Sequence, residues 1–192
     1  MHFTAPLIGC FWLVFTAYWL ISSVGVKKNA TGGRWRRAMG IRFVIILVFS
    51  LFWRTAALRA FASRFGALSA PSSNPVIAGL GVLLCAVGIG FAIWARRHIG
   101  RNWGMPMSLK EDPELVTTGP YTMVRHPIYS GMILAMAGSI LGMGVVWVMP
   151  FILSCGYFVY SARTEEGLML ERFPATYPAY MARTKMLIPF IL

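Results

Sequence analysis

Residues 119–144 read GPYTMVRHPIYSGMILAMAGSILGMG, a polar and turn-rich segment followed directly by an apolar run. Pro127 fits the first position of a helix, because the N–H that proline lacks has no partner there. Arg125 and His126 therefore lie just outside the positive N-terminal end of that helix, and such an end attracts anions. The segment predicts a polar site at the start of an apolar helix over residues 128–141.

The composition of the whole chain is that of a polytopic membrane protein. The 192 residues are 57% hydrophobic and 12% charged, with a mean hydropathy of +0.65, which is far from an ordinary soluble domain. Because a membrane-spanning helix needs roughly 20 apolar residues, the length accommodates about five spans and one modest polar region. We expect a single all-α integral membrane domain over residues 1–192, without a separate soluble catalytic domain.

Apolar stretches divide the chain into three N-terminal spans within residues 1–95 and a catalytic region over residues 96–192. Only Gly142-Met143-Gly144 separates the last two apolar runs, and so short a link predicts an antiparallel helical hairpin. Gly138 and Gly142 give this hairpin an edge of small residues that suits close packing. The predicted spans are 6–26, a stretch of about 20 residues starting near Ala38, 76–95, 128–141 and 145–162.

Charged residues predict the orientation of these spans. Residues 27–42, 96–127 and 163–192 hold six, five and four of the eighteen Lys and Arg residues. With five spans these segments share one side of the membrane, which the positive-inside rule makes cytoplasmic. We expect the N-terminus outside and the C-terminus and polar site in the cytoplasm, in a bacterial inner membrane or an endoplasmic-reticulum-like membrane. The net charge of +12 is thus assigned to membrane topology, and no nucleic acid or obligatory protein partner is predicted.

The last part of the chain changes character. Residues 163–182 mix charged and apolar side chains and predict a helix that leaves the membrane and lies partly on its surface. The tail, residues 186–192, is too short to span and should pack back or dip into the interface. The three cysteines lack metal-ligand spacing, so no metal site is expected.

The motif resembles that of a known family. Gly119-Pro120-Tyr121, then Arg125-His126-Pro127-x-Tyr129-x-Gly131, looks like the signature of isoprenylcysteine carboxyl methyltransferases and their phospholipid methyltransferase relatives. The resemblance covers about residues 98–190 and includes paired glutamates, two tyrosines and an arginine downstream. It implies an integral membrane enzyme that uses S-adenosyl-L-methionine as cofactor. The downstream residues that follow the family's spacing are Glu165, Glu166, Phe173, Tyr177, Tyr180, Arg183 and Pro189.

The resemblance also implies roles for individual residues. Methyl transfer is an in-line displacement, so the enzyme must chiefly hold donor and acceptor in line. The residues implied nearest the acceptor, and thus catalytic, are Arg125, Glu166 and Arg183. The residues implied to bind the cofactor are Gly119, Tyr121, His126, Pro127, Tyr129 and Glu165.

The acceptor is predicted to be lipophilic, with membrane lipids as its surroundings. A carboxylate is already a nucleophile at neutral pH and needs positioning, which two arginines can supply. This favours O-methylation of an isoprenylcysteine-like or related lipophilic acid. An amine acceptor, as in phosphatidylethanolamine, would instead need proton removal, with Glu166 as the candidate base. Glu114 stands where many relatives have His, and roles for His98 and Asn102 are left open.

Two other functions compete with methyl transfer. Sterol and steroid reductases carry a similar Arg-His-Pro-x-Tyr motif and bind NADPH, but they are generally larger and commonly have Asn at the position of Ile128. A small transporter or channel is the other possibility. No predicted span carries the charged pairs or repeated halves that would mark an ion path.

Overall fold

The computed structural model describes residues 3–23, 72, 74–104, 114–189 and 191. Every regular element in this part of the chain is helical, apart from one isolated bridge between Val124 and Lys185. The α-helices are α1 Thr4–Ser22, α2 Pro75–Ile99, α3 Pro127–Met143, α4 Val148–Arg172 and α5 Tyr177–Arg183. Short 3-10 turns lie at Gly100–Asn102, Gly119–Thr122 and Val145–Trp147.

Helix α2 has clear signals at both ends. The Asn74 side chain accepts a hydrogen bond from the Val76 N–H at 2.9 Å, and Pro75 occupies the first turn, so the helix start is capped. Three basic residues fill the last turn, where cations favour the negative end of the helix dipole. Gly100, with φ +55°, ends the helix. The observed helix therefore extends to Ile99, beyond the end of the predicted third span, 76–95.

The centre of the fold is a close antiparallel pair formed by α2 and α3. A methyl group on Gly88 would lie 2.4 Å from the Ala135 nitrogen, and one on Gly138 would lie 2.5 Å from the Cys85 nitrogen. Small residues let two helix backbones approach to contact in this way. The seam consists of Gly81, Cys85, Gly88 and Ala92 on α2 and of Gly131, Ala135, Gly138 and Gly142 on α3.

The sequence pattern assigns Gly138 and Gly142 to the hairpin of the last two spans, but the structure gives this edge of small residues other partners. Gly138 packs on α2, and a methyl group on Gly142 would meet the Ile8 side chain of α1 at 2.4 Å. The nearest neighbours of this edge thus belong to the earlier helices α1 and α2. Helix α3 also continues through Met143, so the break before α4 begins at Gly144, whose φ of +103° suits glycine. The predicted hairpin of the last two spans stays a prediction.

Helix α1 packs across the α2–α3 pair. Ile8 is completely buried in a cluster with Cys85 and Ala135. The Trp12 indole N–H donates a hydrogen bond to the Ser139 hydroxyl at 3.0 Å. Because this polar contact lies between two apolar helices, it fixes the position of α1 along α3.

Two described helices are long and apolar enough to cross a membrane. They are Thr4–Ser22 and Pro75–Asn102. In the most apolar 18 residues of each, only 17% and 33% of the residues, respectively, are buried. The apolar helix α3 has 17 residues, about 26 Å of rise, slightly less than a hydrocarbon core of about 30 Å. The predicted second span lies outside the described residues. The count of five spans and their orientation remain predictions.

The C-terminal part folds back on the motif. Helix α4 runs without interruption through the charged segment to Arg172, and α5 follows after a short turn. Beyond α5, Met186 is 6% exposed and Leu187 is 2% exposed, both within the cluster that holds Tyr121 and Tyr129. The prediction that the tail packs back is confirmed for these two residues.

Candidate active site

The first half of the motif forms a 3-10 turn at the C-terminal end of α2. Gly119 has φ +58°, and a methyl group there would lie 2.6 Å from the His98 ring, so both conformation and space demand glycine. His98 Nε2 lies 2.8 Å from the Thr118 hydroxyl. The Tyr180 hydroxyl donates to the carbonyl of buried Tyr121 at 2.6 Å. These contacts place the turn between α2 and α5.

The second half of the motif is held by the residues that follow α5. Residues 184–187 run beside residues 124–126, and the isolated bridge joins Val124 to Lys185. This pairing fixes the backbone that precedes α3, so the position of His126 depends on a segment about 60 residues away. Two backbone hydrogen bonds join the segments, from Arg125 N–H to Lys185 O (2.8 Å) and from His126 N–H to Met186 O (3.0 Å). In the first turn of α3, the Ser130 hydroxyl also donates to Leu187 O (2.5 Å).

Glu165 on α4 accepts hydrogen bonds from two hydroxyl groups. The Tyr129 hydroxyl donates to its Oε1 at 2.6 Å, and the Ser161 hydroxyl donates to the same oxygen at 3.0 Å. Its other oxygen lies 3.5 Å from His126 Nδ1, and its side chain keeps 24% exposure. Glu165 is thus oriented by α3 and α4 but is still accessible.

Glu166, its neighbour, has a different environment. Its Oε1 accepts a hydrogen bond of 2.6 Å from Arg125 Nε, and both side chains are 10% exposed. Arg125 also donates from one terminal nitrogen to the carbonyl oxygens of Met181 and Thr184. This charge-assisted cluster joins the motif, α4 and the end of α5.

His126 lies between the two carboxylates. Burial alone would lower its pKa, but the close contacts with Glu165 and Glu166 and the charges of both carboxylates outweigh burial and raise the pKa above its ordinary value. For Glu166, burial would raise the pKa, and its contacts with His126 and Arg125 outweigh burial and lower it. The cluster therefore favours the charged forms of both His126 and Glu166.

A cavity of about 330 Å³ opens beside this cluster, near the lower limit of the roughly 300–1,000 Å³ typical of small-molecule sites. Arg125, His126 and Glu165 contribute its charged side. Glu114 is a further charged lining residue and accepts a hydrogen bond from Asn102 at 3.3 Å. Most of the remaining wall is apolar or aromatic. The aromatic side chains include Trp19, Trp103, Tyr121, Tyr129, Phe158 and Tyr177.

These groups fit the needs of a sulfonium methyl donor. His126 Nε2 is buried, lies 3.3 Å from Glu166 Oε1 and makes no hydrogen bond among the described residues. A ligand carboxylate would satisfy such a nitrogen. Glu165 can accept from an amine, and aromatic faces attract a cationic sulfonium. Adenine would be accommodated by the apolar wall.

The structure brings together part of the predicted residue set. Tyr121, Arg125, His126, Tyr129 and Glu165 all line the cavity, whereas Glu166 lies behind Arg125. Gly119 and Pro127 shape the backbone without lining the cavity. Arg183 is exposed, lies outside the cavity wall and has its guanidinium 5.9 Å from the Tyr180 ring. The ligand roles of all these residues remain predictions.

Some residues at the site were not anticipated. Ser161 contacts both Tyr129 and Glu165, and its position four residues before Glu165 on a helix could have indicated a shared face. Trp19 comes from α1, and nothing in its own stretch of sequence points to the motif. Trp103 lies in a segment that resembles the family, but only the fold shows that it reaches the cavity.

Comparison with known families agrees with this geometry. The phospholipid methyltransferase family model matches residues 76–176, slightly more than half of the chain, and this family includes isoprenylcysteine carboxyl methyltransferases. The chain belongs to the phospholipid methyltransferase family. Membership confirms the family resemblance that the motif carries. The family is generally S-adenosylmethionine-dependent.

The matched region differs from the extent of the sequence resemblance. It begins at the start of α2 and ends before Tyr180 and Arg183. A similar protein is the nickel-cobalt-cadmium resistance protein NccN of Alcaligenes xylosoxydans xylosoxydans, with 35% identity over 98 residues, which are 47% of this chain and 44% of that protein. The alignment thus spans less than half of that relative's length.

Proposed function

We propose that this protein transfers a methyl group from S-adenosyl-L-methionine to a lipophilic acceptor that reaches the cavity from the membrane. The observation that carries the proposal is that His126 and Glu165 line the same cavity as a wall of aromatic side chains. The polar side suits the amino-acid part of the donor, and the apolar side suits adenine and the acceptor chain.

The chain's own residues would contribute binding and orientation. S-adenosylmethionine supplies a methyl group already activated on sulfur. His126 would hold the donor carboxylate through Nε2, while Glu165, oriented by Tyr129 and Ser161, would accept from the donor amine. The aromatic wall would exclude water. Such positioning supplies most of the barrier reduction in a displacement of this kind.

The first candidate acceptor is an isoprenylcysteine-like or related lipophilic carboxylate. Arg125 supports it, because this cationic residue is part of the cavity lining. Support from Arg183 is weaker than the sequence suggested, because Arg183 is exposed and outside the wall. A carboxylate needs no base, which agrees with Glu166 being engaged by Arg125.

The second candidate acceptor is a phospholipid amine. Glu114, which stands where many relatives have His, adds a second carboxylate to the cavity wall. Carboxylates attract an ammonium headgroup and can accept its proton. Glu165 and Glu114 are better placed for this than Glu166, which does not line the cavity.

Calorimetry on the purified, detergent-solubilised protein tests the donor half of the proposal. S-adenosylhomocysteine should bind to the wild type with micromolar affinity, and His126→Ala should abolish this binding. As the control, Glu171→Gln, at an exposed position of α4, should bind as the wild type does. Transfer of a labelled methyl group to an S-prenylcysteine or to phosphatidylethanolamine then distinguishes the acceptors. Binding of NADPH without S-adenosylhomocysteine would refute the proposal in favour of a reductase.

A further inference from the structure

Arg96, in the last turn of α2, is a buried cation that the motif does not explain. It is only 3% exposed. One terminal nitrogen donates to the Gly100 carbonyl at 2.9 Å, and the other donates to the carbonyl of Ser22, the last residue of α1. Its Nε has no hydrogen-bond partner among the described residues. A cation at the C-terminal ends of two helices satisfies carbonyl groups that lack partners within the helices.

The same guanidinium supports part of the cavity wall. It lies 4.4 Å from the centre of the Trp103 ring, and that ring meets Trp19 edge-on with centres 5.8 Å apart. Both tryptophans line the cavity, whereas Arg96 does not. Arg96 therefore sits behind an aromatic wall made of one residue from α1 and one from the turn after α2.

The position of this wall indicates which ligand it meets. Next to Trp19 on α1, Leu20 is 68% exposed and Ile21 is 74% exposed, so the wall adjoins an apolar outer surface of a candidate membrane span. The charged side of the cavity, with His126 and Glu165, suits the donor. Trp19 thus joins the cavity wall to the apolar surface along which a hydrocarbon chain would lie.

We infer that Arg96 is a positioning residue that fixes the Trp19–Trp103 wall for the hydrocarbon chain of the acceptor. It does so by joining the end of α1 to the end of α2 and by stacking on Trp103. The inference rests on the proposed function, since it assigns the chain of the acceptor to this wall. The alternative, a cation that merely marks the cytoplasmic side, would leave the guanidinium in water or headgroups, as the exposed neighbour Arg97 does.

Kinetics with acceptors of different chain length test this inference. In Arg96→Met, KM for a long-chain S-prenylcysteine, or for long-chain phosphatidylethanolamine, should rise roughly tenfold, equivalent to about 1.4 kcal/mol. KM for the short-chain counterpart and the affinity for S-adenosylhomocysteine should stay unchanged. Arg96→Lys, which keeps the cation but not both carbonyl contacts, should recover part of the loss. Arg97→Met is the matched control and should behave as the wild type.

A spectroscopic measurement tests the wall without reference to activity. A fixed indole ring gives a near-ultraviolet circular dichroism signal, and the signal of Trp103 is the part that Trp103→Phe removes. The signal removed by Trp103→Phe should be smaller in the Arg96→Met background than in the wild type. Equal losses for long and short chains, or a lower melting temperature with unchanged KM, would overturn the inference by making Arg96 merely structural. Failure of the wild type to bind S-adenosylhomocysteine would instead refute the proposed function, and the dichroism result would still decide whether Arg96 fixes the ring.

Discussion

Glu165 and Glu166 are adjacent in sequence, yet we expect substitutions at the two positions to affect different properties of the protein. Consecutive helical residues point about 100° apart, and here one carboxylate lines the cavity while the other forms a buried pair with Arg125. Glu166→Gln should therefore lower stability, and Glu165→Gln should lower affinity for the donor. The exposed residue Glu171 on the same helix provides the control.

The size of each effect follows from the contacts. Removing one partner of a buried ion pair costs roughly 3–5 kcal/mol. Arg125 retains carbonyl acceptors and each side chain keeps 10% exposure, so we expect the lower limit for Glu166→Gln, about 3 kcal/mol. For a chain of this size that corresponds to a fall of about 6–12 °C in melting temperature.

Glu165→Gln keeps an oxygen that can accept from the Tyr129 hydroxyl, so its folding cost should stay within about 1 kcal/mol. It loses the charge that would meet the donor amine. Hydrogen bonds to charged groups are worth about 1.5–3 kcal/mol, which is roughly a 10- to 100-fold loss of affinity.

The assay measures melting temperature and S-adenosylhomocysteine affinity for the wild type and for the Gln variants at positions 165, 166 and 171 in one detergent. The expected pattern is a loss of stability for Glu166→Gln, a loss of affinity for Glu165→Gln and neither for Glu171→Gln. If Glu166→Gln melts with the wild type but loses the ligand, Glu166 faces the donor and the division between the two glutamates is refuted.

Three further predictions concern other parts of the structure. Because the pKa of His126 is raised on folding, the stabilisation by His126 is complete below the unfolded pKa and is lost as pH rises through the folded pKa. The melting temperature of the wild type should therefore fall as pH rises across that range, and that of His126→Gln should change less. Equal pH dependence of the two melting temperatures would contradict this. Gly88→Ala would place a methyl group 2.4 Å from the facing backbone and should melt lower by several degrees, whereas Gly90→Ala, with open space around it, should match or exceed the wild type; equal melting temperatures would refute the α2–α3 seam. Tyr180→Phe leaves the carbonyl of buried Tyr121 without its donor at 2.6 Å. The free energy of unfolding from a denaturant titration should fall by about 1–3 kcal/mol, and an unchanged value would contradict the role of this hydrogen bond.

The sequence predicted the helical class and the polar motif because both have local causes. Pro127 starts α3 as expected, since a proline is best tolerated in the first turn. The family resemblance of the motif was also readable, and the family match confirms it. Small residues on both helices indicated close packing. Their partners could not be predicted, because an edge of glycines carries no information about which helix it meets.

Arg96 shows the same limit for charged residues. In the sequence it is one of several basic residues beside an apolar run, a pattern typical of the positive-inside rule. In the structure it is buried beneath Trp103 and bonded to the end of α1. Its role depends on a contact 74 residues away in sequence, and no local pattern encodes such a distance. The same holds for the pairing of residues 184–187 with the motif.

The geometry separates what a headgroup and a chain can contribute to acceptor recognition. Arg125 lines the cavity but already neutralises Glu166, so an acidic headgroup would share a cation that is partly satisfied, and the net gain from such an exchange is small. An ammonium headgroup would meet carboxylates that the donor amine also attracts. In both cases we expect the headgroup to supply limited affinity and the hydrocarbon chain to supply most of it, at about 0.8 kcal/mol for each buried methylene group. Acceptor choice should therefore depend on chain length for binding and on headgroup chemistry for the rate of transfer.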